Sequence, residues 1–262
     1  MTRQSKVRAD ELLVQQGLAS SRTQAKVLIV AGDVRTPDGR VTKPAEQLSP
    51  DTVLSLREKP KHVSRGGLKL EAALDAFGLD VNGLTVADIG ASTGGFTDCV
   101  LQRGADHVYA VDVGYGQLHY TLREDDRVTV LERVNARYMD PLPVAVDLIT
   151  IDVSFISLRL ILENVARSLV AGGRIVTLVK PQFEAGRDAV SRQGVVRDEA
   201  TRQRVVREVI DFATQIGLGF EGLIRSPVVG PAGNEEFLLA LRSGTATNRD
   251  EVEVAIQEVF GR

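Results

Sequence analysis

The sequence predicts an α/β protein: a doubly wound, mostly parallel sheet preceded by a small α+β module. Three observations carry that expectation. Short aliphatic runs alternate with helical stretches from Val86 to Arg242, the pattern of βα units whose crossover helices cover both faces of a parallel sheet. The segment Val86-Ala-Asp-Ile-Gly-Ala-Ser-Thr-Gly-Gly-Phe-Thr97 reads as a buried strand that stops at Gly90, turns through a glycine-rich loop and starts a helix. A change of character falls at Arg57-Glu-Lys-Pro-Lys61, charged and proline-containing, which reads as a linker.

Taken in order, Val7 to Gln16 carries Val7, Leu12 and Leu13 in a helical context and stops before Gly17, a suitable residue to follow a helix. Ser20 or Ser21 caps a second helix, Arg22 to Ala31, with Ala25, Leu28 and Ile29 on one face. A turn at Pro37-Asp-Gly39 leads into Arg40 to Pro44, read as a short hairpin, and Thr52 to Leu56 gives one more strand. After the linker, Leu68 to Phe77 is a strongly helical run ended by Gly78. The alternation then runs strand Val86–Gly90, helix Gly95–Arg103, strand Val108–Asp112, strand Val128–Leu131, strand Asp147–Ile151 and helix Leu158–Leu169. Strand Arg174–Lys180, helix Glu199–Ile216 and strands Leu218–Ser226 and Glu236–Arg242 complete it. The expected division is a module over 1–58, a linker over 59–63, a main domain over 64–245 and a helical tail over 246–262.

Composition bounds the function. At 262 residues, 43% hydrophobic and 26% charged, the chain suits a soluble globular protein with room for a full α/β core and a second module. No leader-like segment opens it and no apolar run is long enough to span a bilayer, so a cytoplasmic location without membrane is expected. One cysteine, Cys99, excludes an intrachain disulfide, and three histidines far apart in sequence show no ligand spacing, so no metal is expected. Residues 1–62 hold 11 Lys+Arg against 7 Asp+Glu, whereas the remaining 200 hold 21 against 28. The basic module is the amino-terminal one, which suits nucleic acid and equally suits a solvated face.

The glycine loop points to a nucleotide-like cofactor. Gly90, Gly94 and Gly95 let the backbone turn sharply and let a ligand approach it, and the loop opens a helix with free N–H donors. About twenty residues on, His107-Val-Tyr-Ala-Val-Asp112 closes an apolar run on a carboxylate, the spacing that presents an acid to ribose hydroxyls. The spacing G-x-x-x-G-G is neither the dinucleotide fingerprint nor a P-loop, and no Lys-Ser/Thr pair follows to hold a triphosphate. The loop resembles the S-adenosylmethionine (SAM) site of class I methyltransferases, although glycine-rich turns also close ordinary βα loops. That resemblance implies a Rossmann-like sheet with an antiparallel last strand.

The first module resembles the αL RNA-binding domain shared by a ribosomal small-subunit protein, tyrosyl-tRNA synthetases and pseudouridine synthases. The matching residues are Arg8-x-Asp-x-Leu-Leu13, Gly17-Leu-Ala-Ser-Ser-Arg22, Ala25, Gly32-Asp-Val with Gly39, and Lys43-Pro44. The resemblance implies that Arg22, Lys26, Arg35 and Lys43 face RNA phosphates, with Arg8 in the same motif and Arg65 at the start of the next domain. Such contacts position a protein without reading sequence. The alternative is an appendage that stabilises a dimer.

Functional side chains of open parallel sheets collect at the carboxyl ends of the strands. Asp152 follows Leu148-Ile-Thr-Ile151, Lys180 ends Ile175-Val-Thr-Leu-Val179, Glu236 opens the last strand and Lys69 stands on the helix before the first. Each has an ordinary reading: a solvated helix residue for Lys69, a turn cap for Asp152, a snorkelling strand end for Lys180, a surface acid for Glu236. Together they resemble the Lys-Asp-Lys-Glu tetrad of FtsJ-like RNA 2′-O-ribose methyltransferases. A ribose hydroxyl must lose its proton as it attacks a methyl group, and the resemblance implies Lys180 as base. A free lysine is almost fully protonated near neutral pH, so burial and the positive charges of Lys69 and SAM must favour its neutral amine. Asp152 would orient that amine, and Lys69 with Glu236 would position the ribose.

The full set of motifs is similar to the TlyA (hemolysin A) family: Ser64-Arg-Gly-Gly-Leu-Lys-Leu70, Asp88-Ile-Gly-Ala-Ser-Thr-Gly-Gly-Phe96, Asp112-Val-Gly-Tyr-Gly116, Asp152-Val-Ser-Phe155 and Val179-Lys-Pro-Gln-Phe-Glu184. The resemblance implies SAM-dependent 2′-O-methylation of cytidine in ribosomal RNA or ribosomal subunits. It implies SAM contacts at Asp88, Gly90, Ser92, Gly94, Phe96 and Asp112, with Asn135 near the adenine. Phe155 would line the site beside Asp152, or else be a core residue. The linker departs from members with an aromatic residue near position 60, and Glu235 beside Glu236 leaves the acid resting on the family pattern. Arg187 to Arg197 reads as a basic loop that closes over RNA or as a solvated one. Two other readings differ in class: a ribosome-assembly factor without catalysis, against which the four intact residues argue, and a cytolysin, for which no long apolar or amphipathic cationic segment is present.

Overall fold

A computed structural model describes residues 6–57, 60–186 and 189–261. Glu58 and Lys59 of the expected linker, and Arg187 and Asp188 of the basic loop, lie outside the described residues. The chain divides into two compact units, Met1–Pro60 and Lys61–Arg262.

The first unit contains β1 (Val7–Arg8), α1 (Ala9–Gln15), α2 (Arg22–Ala31), β2 (Val34–Thr36), β3 (Gly39–Arg40), β4 (Gln47–Leu48) and β5 (Ser55–Leu56). Its core joins Leu12 and Leu13 of α1 to Ala25 and Ile29 of α2 and to Val34, Val41 and Leu54. The second helix has the expected bounds, and Ser21 is its cap, accepting from the Gln24 amide. The first helix starts two residues later than the sequence suggested. Val7 and Arg8 pair with Leu48 and Gln47 instead, and the Ala9 and Asp10 amides bond to the Glu46 and Pro44 carbonyls, so tertiary pairing overrides helical propensity there. The hairpin also sits earlier, with Thr36 opposite Gly39 across Pro37-Asp38.

The second unit runs α3 (Gly66–Ala76), β6 (Thr85–Ile89), α4 (Gly95–Gln102), β7 (His107–Asp112), α5 (Tyr120–Arg123), β8 (Val128–Glu132), β9 (Val146–Ile151), α6 (Leu162–Ala166), β10 (Leu169–Val179), α7 (Pro181–Glu184), α8 (Glu199–Gln215), β11 (Leu218–Arg225), β12 (Phe237–Ser243) and α9 (Arg249–Phe260). Its strands form one sheet in the order β11-β12-β10-β9-β6-β7-β8. All neighbours from β10 to β8 are parallel, and β12 runs antiparallel between β10 and β11. Successive residues alternate between two cores: Ala87, Ile89, Ile149 and Ile151 pack towards α8 and α9, whereas Val86, Leu148, Val176 and Leu178 pack towards α3 and α4. Helix α9 is no loose tail, because Val252, Ile256 and Phe260 enter the core and the Phe260 ring lies 4.7 Å from that of Phe237.

Two regions depart from the sequence expectation. The helix expected over Leu158–Leu169 is a 3-10 turn at Leu158–Leu160, a break at Ile161, and the short α6. Strand β10 already begins at Leu169 and carries an irregularity before Arg174, where Gly172 takes a positive φ. The one-turn helices α5 and α7 are too short to show a period. The end of the expected linker is built into the unit: His62 is buried under Gly67, and the Val63 amide donates to Asp98 at 2.8 Å.

Candidate active site

Strands β9 and β10 are parallel neighbours, so their carboxyl ends bring Asp152 and Lys180 together. Pro181 at the start of α7 stops β10 and fixes the place of Lys180. Its Nζ lies 2.6 Å from Asp152 Oδ1 and donates to Ser154 Oγ at 2.9 Å. The lysine is 9% exposed.

A second pair forms from residues 167 apart in the chain. Lys69 Nζ, on α3, donates to Glu236 Oε2 at 2.6 Å just before β12. Glu236 is 1% exposed, and a Cβ at Gly230 would stand 2.4 Å from Glu236 Oε1, so a larger residue at 230 would displace the enclosed carboxylate. Its neighbour Glu235 points elsewhere, to Arg202 at 2.7 Å and Arg225 at 3.0 Å. Extended backbone sends adjacent side chains to opposite sides, which separates the two acids.

Both pairs line one cavity of about 670 Å³, together with Arg65, Phe96, Gln182 and Phe183. A second cavity, of about 490 Å³, opens between the ends of β6, β7 and β9 and is bounded by Asp112, Asn135 and a largely apolar wall including Val134 and Ile161. Gly90, Ser92, Asp152, Ser154 and Phe155 belong to both. The junction lies where β6 has β7 on one side and β9 on the other, the topological switch point of the sheet.

The loop at that junction is held by its own acids. Asp112 accepts from the Ser92 amide at 2.8 Å and the Gly114 amide at 2.6 Å. Asp88 is wholly buried and accepts from the Thr97 amide and hydroxyl and the Thr150 hydroxyl, joining β6, α4 and β9. Burial pushes its carboxyl up to about 6. Gly90 has φ +84° and a Cβ there would stand 2.7 Å from the Asp152 carbonyl.

Of the expected cofactor residues, Gly90, Ser92, Asp112, Asn135 and Phe155 border the second cavity, and Phe96 borders the first. Asp88 and Gly94 border neither. Asp88 is enclosed beneath the loop, and Gly94 packs against Leu118 and Leu122, leaving no room for a Cβ. In the first unit, Lys26, Arg35 and Lys43 are exposed. Arg8 and Arg22 both bind the buried Asp10, and Arg22 also reaches Glu11, so these two arginines are engaged within the unit. Arg65 lies at the rim of the first cavity.

Among the lining residues that went unassigned in the sequence are Ser154, Gln182 and Phe183. Each stands within two or three residues of Asp152 or Lys180, and that adjacency was the available signal. Phe155 is 90% exposed at φ +65° and its ring lies 5.0 Å from that of Phe183. The strained turn is clamped by Glu184, which accepts from the Ser157 hydroxyl and the Leu158 amide, both at 2.6 Å. Burial raises the Glu184 carboxyl above the usual range and pushes the Cys99 thiol up to about 12, which makes that cysteine inert.

The FtsJ-like methyltransferase family matches residues 62–243, and the S4 domain matches residues 7–54. The chain is 47% identical to the 16S/23S rRNA (cytidine-2′-O)-methyltransferase TlyA of Mycobacterium tuberculosis, over 92% of this chain and 91% of that protein. It is 40% identical to Hemolysin A of Brachyspira hyodysenteriae, over 88% of this chain and 98% of the other. Among solved structures, one described as "Putative hemolysin" from Streptococcus thermophilus is 45% identical, covers 98% of this chain and 96% of that chain, and superposes with a TM-score of 0.73.

Proposed function

The chain belongs to the TlyA (hemolysin A) family of FtsJ-like methyltransferases, and on that premise we propose that it methylates the 2′-hydroxyl of a ribose, at a cytidine, in ribosomal RNA. The observation that supports this reading is the wall common to the two cavities, because it joins a cofactor-sized space to a space holding a paired lysine base.

The second cavity fits SAM. Its volume lies within the roughly 300–1,000 Å³ of small-molecule sites. Asp112 offers a carboxylate for ribose hydroxyls, Asn135 and the apolar wall suit an adenine, and no Lys-Ser/Thr pair follows the loop to hold a triphosphate. When bound, SAM supplies an electrophilic methyl group on a cationic sulfur. The chain does the rest. Lys180 accepts the 2′-hydroxyl proton, Asp152 orients its amine, and the Lys69–Glu236 pair, which lines the same cavity, holds the ribose. Lys180 rather than Lys69 is the base because its partner Asp152 reaches the common wall, whereas Lys69 and Glu236 border the first cavity alone. The exposed Phe155 ring offers a stacking surface for a nucleobase at the mouth. The S4 domain brings the enzyme to structured RNA through Lys26, Arg35 and Lys43, in the cytoplasm where ribosomes are.

The test is transfer of label from SAM to ribosomal subunits and to naked rRNA, comparing the native protein with Lys180→Ala. Label in an alkali-resistant dinucleotide, with the native protein only, is the expected result. No label on either substrate, despite measured SAM binding, would overturn the reading in favour of an assembly factor. Among the described residues no helix is long and apolar enough to cross a membrane, and leakage from liposomes treated with pure protein would be needed to support a lytic role.

A further inference from the structure

We propose that Ser154 is a positioning residue for the base, an inference that rests on the 2′-O-methylation reading. A neutral lysine amine carries two N–H bonds and one lone pair, and an ammonium carries three N–H bonds. In the structure Lys180 Nζ lies 2.6 Å from Asp152 Oδ1 as an ion pair and donates a hydrogen bond to Ser154 Oγ at 2.9 Å. When the neutral amine gives one N–H to Ser154 and turns the other to Asp152, the lone pair has one direction left, and Lys180 borders the first cavity.

Asp152 alone cannot fix that direction. The Asp152 contact is an ion pair without a hydrogen bond's alignment, and one fixed N–H would still leave the lone pair two positions about Cε–Nζ; the Phe183 ring lies 6.0 Å from Nζ and offers only a diffuse attraction. Ser154 supplies the second point. It stands on the wall common to both cavities and is itself exposed, so its hydroxyl has no packing role that explains its placement. During the reaction the 2′-oxygen gives its proton to the lone pair of Nζ, making the ammonium. The oxygen's electron pair forms the new O–C bond, and the electrons of the broken S–C bond stay on sulfur as the neutral thioether. Throughout, Ser154 keeps its N–H, so the amine does not have to turn as charge develops.

The experiment uses the full chain with Ser154→Ala, Ser154→Thr, Lys180→Ala and the double variant Ser154→Ala/Lys180→Ala, under single-turnover conditions with rRNA. Loss of one well-aimed hydrogen bond predicts that Ser154→Ala slows methyl transfer about tenfold. The KM for RNA and the Kd for SAM stay within about twofold, and Thr, which retains the hydroxyl, restores most of the rate. The double variant loses no more than Lys180→Ala, because Ser154 acts only through that amine. A native rate in Ser154→Ala, a loss confined to KM or Kd, failure of Thr to restore the rate, or a further loss in the double variant would each overturn the inference. If the native protein forms no 2′-O-methyl product, the underlying reading fails instead, and the two failures are distinct.

Discussion

The two lysine–carboxylate pairs of the site have the same 2.6 Å separation and equally buried lysines, and they differ in their carboxylates. Glu236 is sealed at 1% exposure beneath Gly230 and ties α3 to the start of β12. Asp152 keeps a side chain 22% exposed, shares its lysine with Ser154, and stands at the wall where the two cavities meet. Distance therefore does not sort the roles; access does. A sealed pair is valued for fixing structure and is punished when one partner is removed, whereas a pair with an accessible carboxylate can meet a substrate.

The largest effect expected from this contrast is on rate. Lys180→Ala should lower single-turnover methylation about 10³-fold, the contribution typical of a general base, while SAM binding measured by calorimetry persists. If Lys180→Ala retained the rate and Lys69→Ala did not, the roles of the two pairs would be exchanged.

Next in size is an effect on stability. Glu236→Ala leaves the Lys69 ammonium buried without its partner and should cost about 3–5 kcal/mol in urea unfolding. Asp152→Asn, where the carboxylate is partly exposed and the amide keeps the shape, should cost less stability than Glu236→Ala and act on rate instead. Equal losses of stability would erase the comparison.

A pH titration sharpens it further. The folded-state value of Asp88, about 6, lies above that of an unfolded aspartate. Its contribution to stability is therefore full below about pH 4 and is lost as the pH rises through about 6. Asp88→Asn, whose amide can accept from Thr97 and donate to Thr150, should flatten that decline in urea midpoints measured from pH 4 to 7. A residual slope of the same sign is expected from Glu184, whose carboxyl burial also raises.

The smallest effect concerns strain at the mouth. At φ +65° a phenylalanine pays a steric cost that glycine does not, so Phe155→Gly should be about 1 kcal/mol more stable than Phe155→Ala. Both should raise the KM for RNA about tenfold if the ring stacks on a base. An unchanged KM would remove Phe155 from the substrate side of the comparison.

The sheet was legible in the sequence because its strands are aliphatic runs ended by glycines or acids, and βα order with right-handed crossovers leaves few topologies. The stretch from Leu158 to Arg174 was not, since its apolar residues fit a helix while the break at Ile161 and the early start of β10 are set by tertiary pairing. At the site, Asp152 and Lys180 could be anticipated from strand ends. The contact of Lys69 with Glu236 spans most of the chain and came only through a family resemblance. Residue spacing also could not tell a loop's lining from its scaffold. Asp88 and Gly94 stand inside the glycine motif, yet one is an enclosed acceptor for Thr97 and Thr150 and the other a packing position against Leu118 and Leu122. Choosing Glu236 over Glu235 required the direction of each side chain, which an extended backbone determines and a sequence pattern shows only when its register is known.

The most direct test of the central claim is chromatographic and mass analysis of nucleosides from rRNA incubated with SAM and either the native protein or Lys180→Ala. The account predicts 2′-O-methylcytidine with the native protein and about 10³-fold slower formation with a variant that still binds SAM. A methyl group on a base, or 2′-O-methylcytidine formed by Lys180→Ala at the native rate, would contradict it.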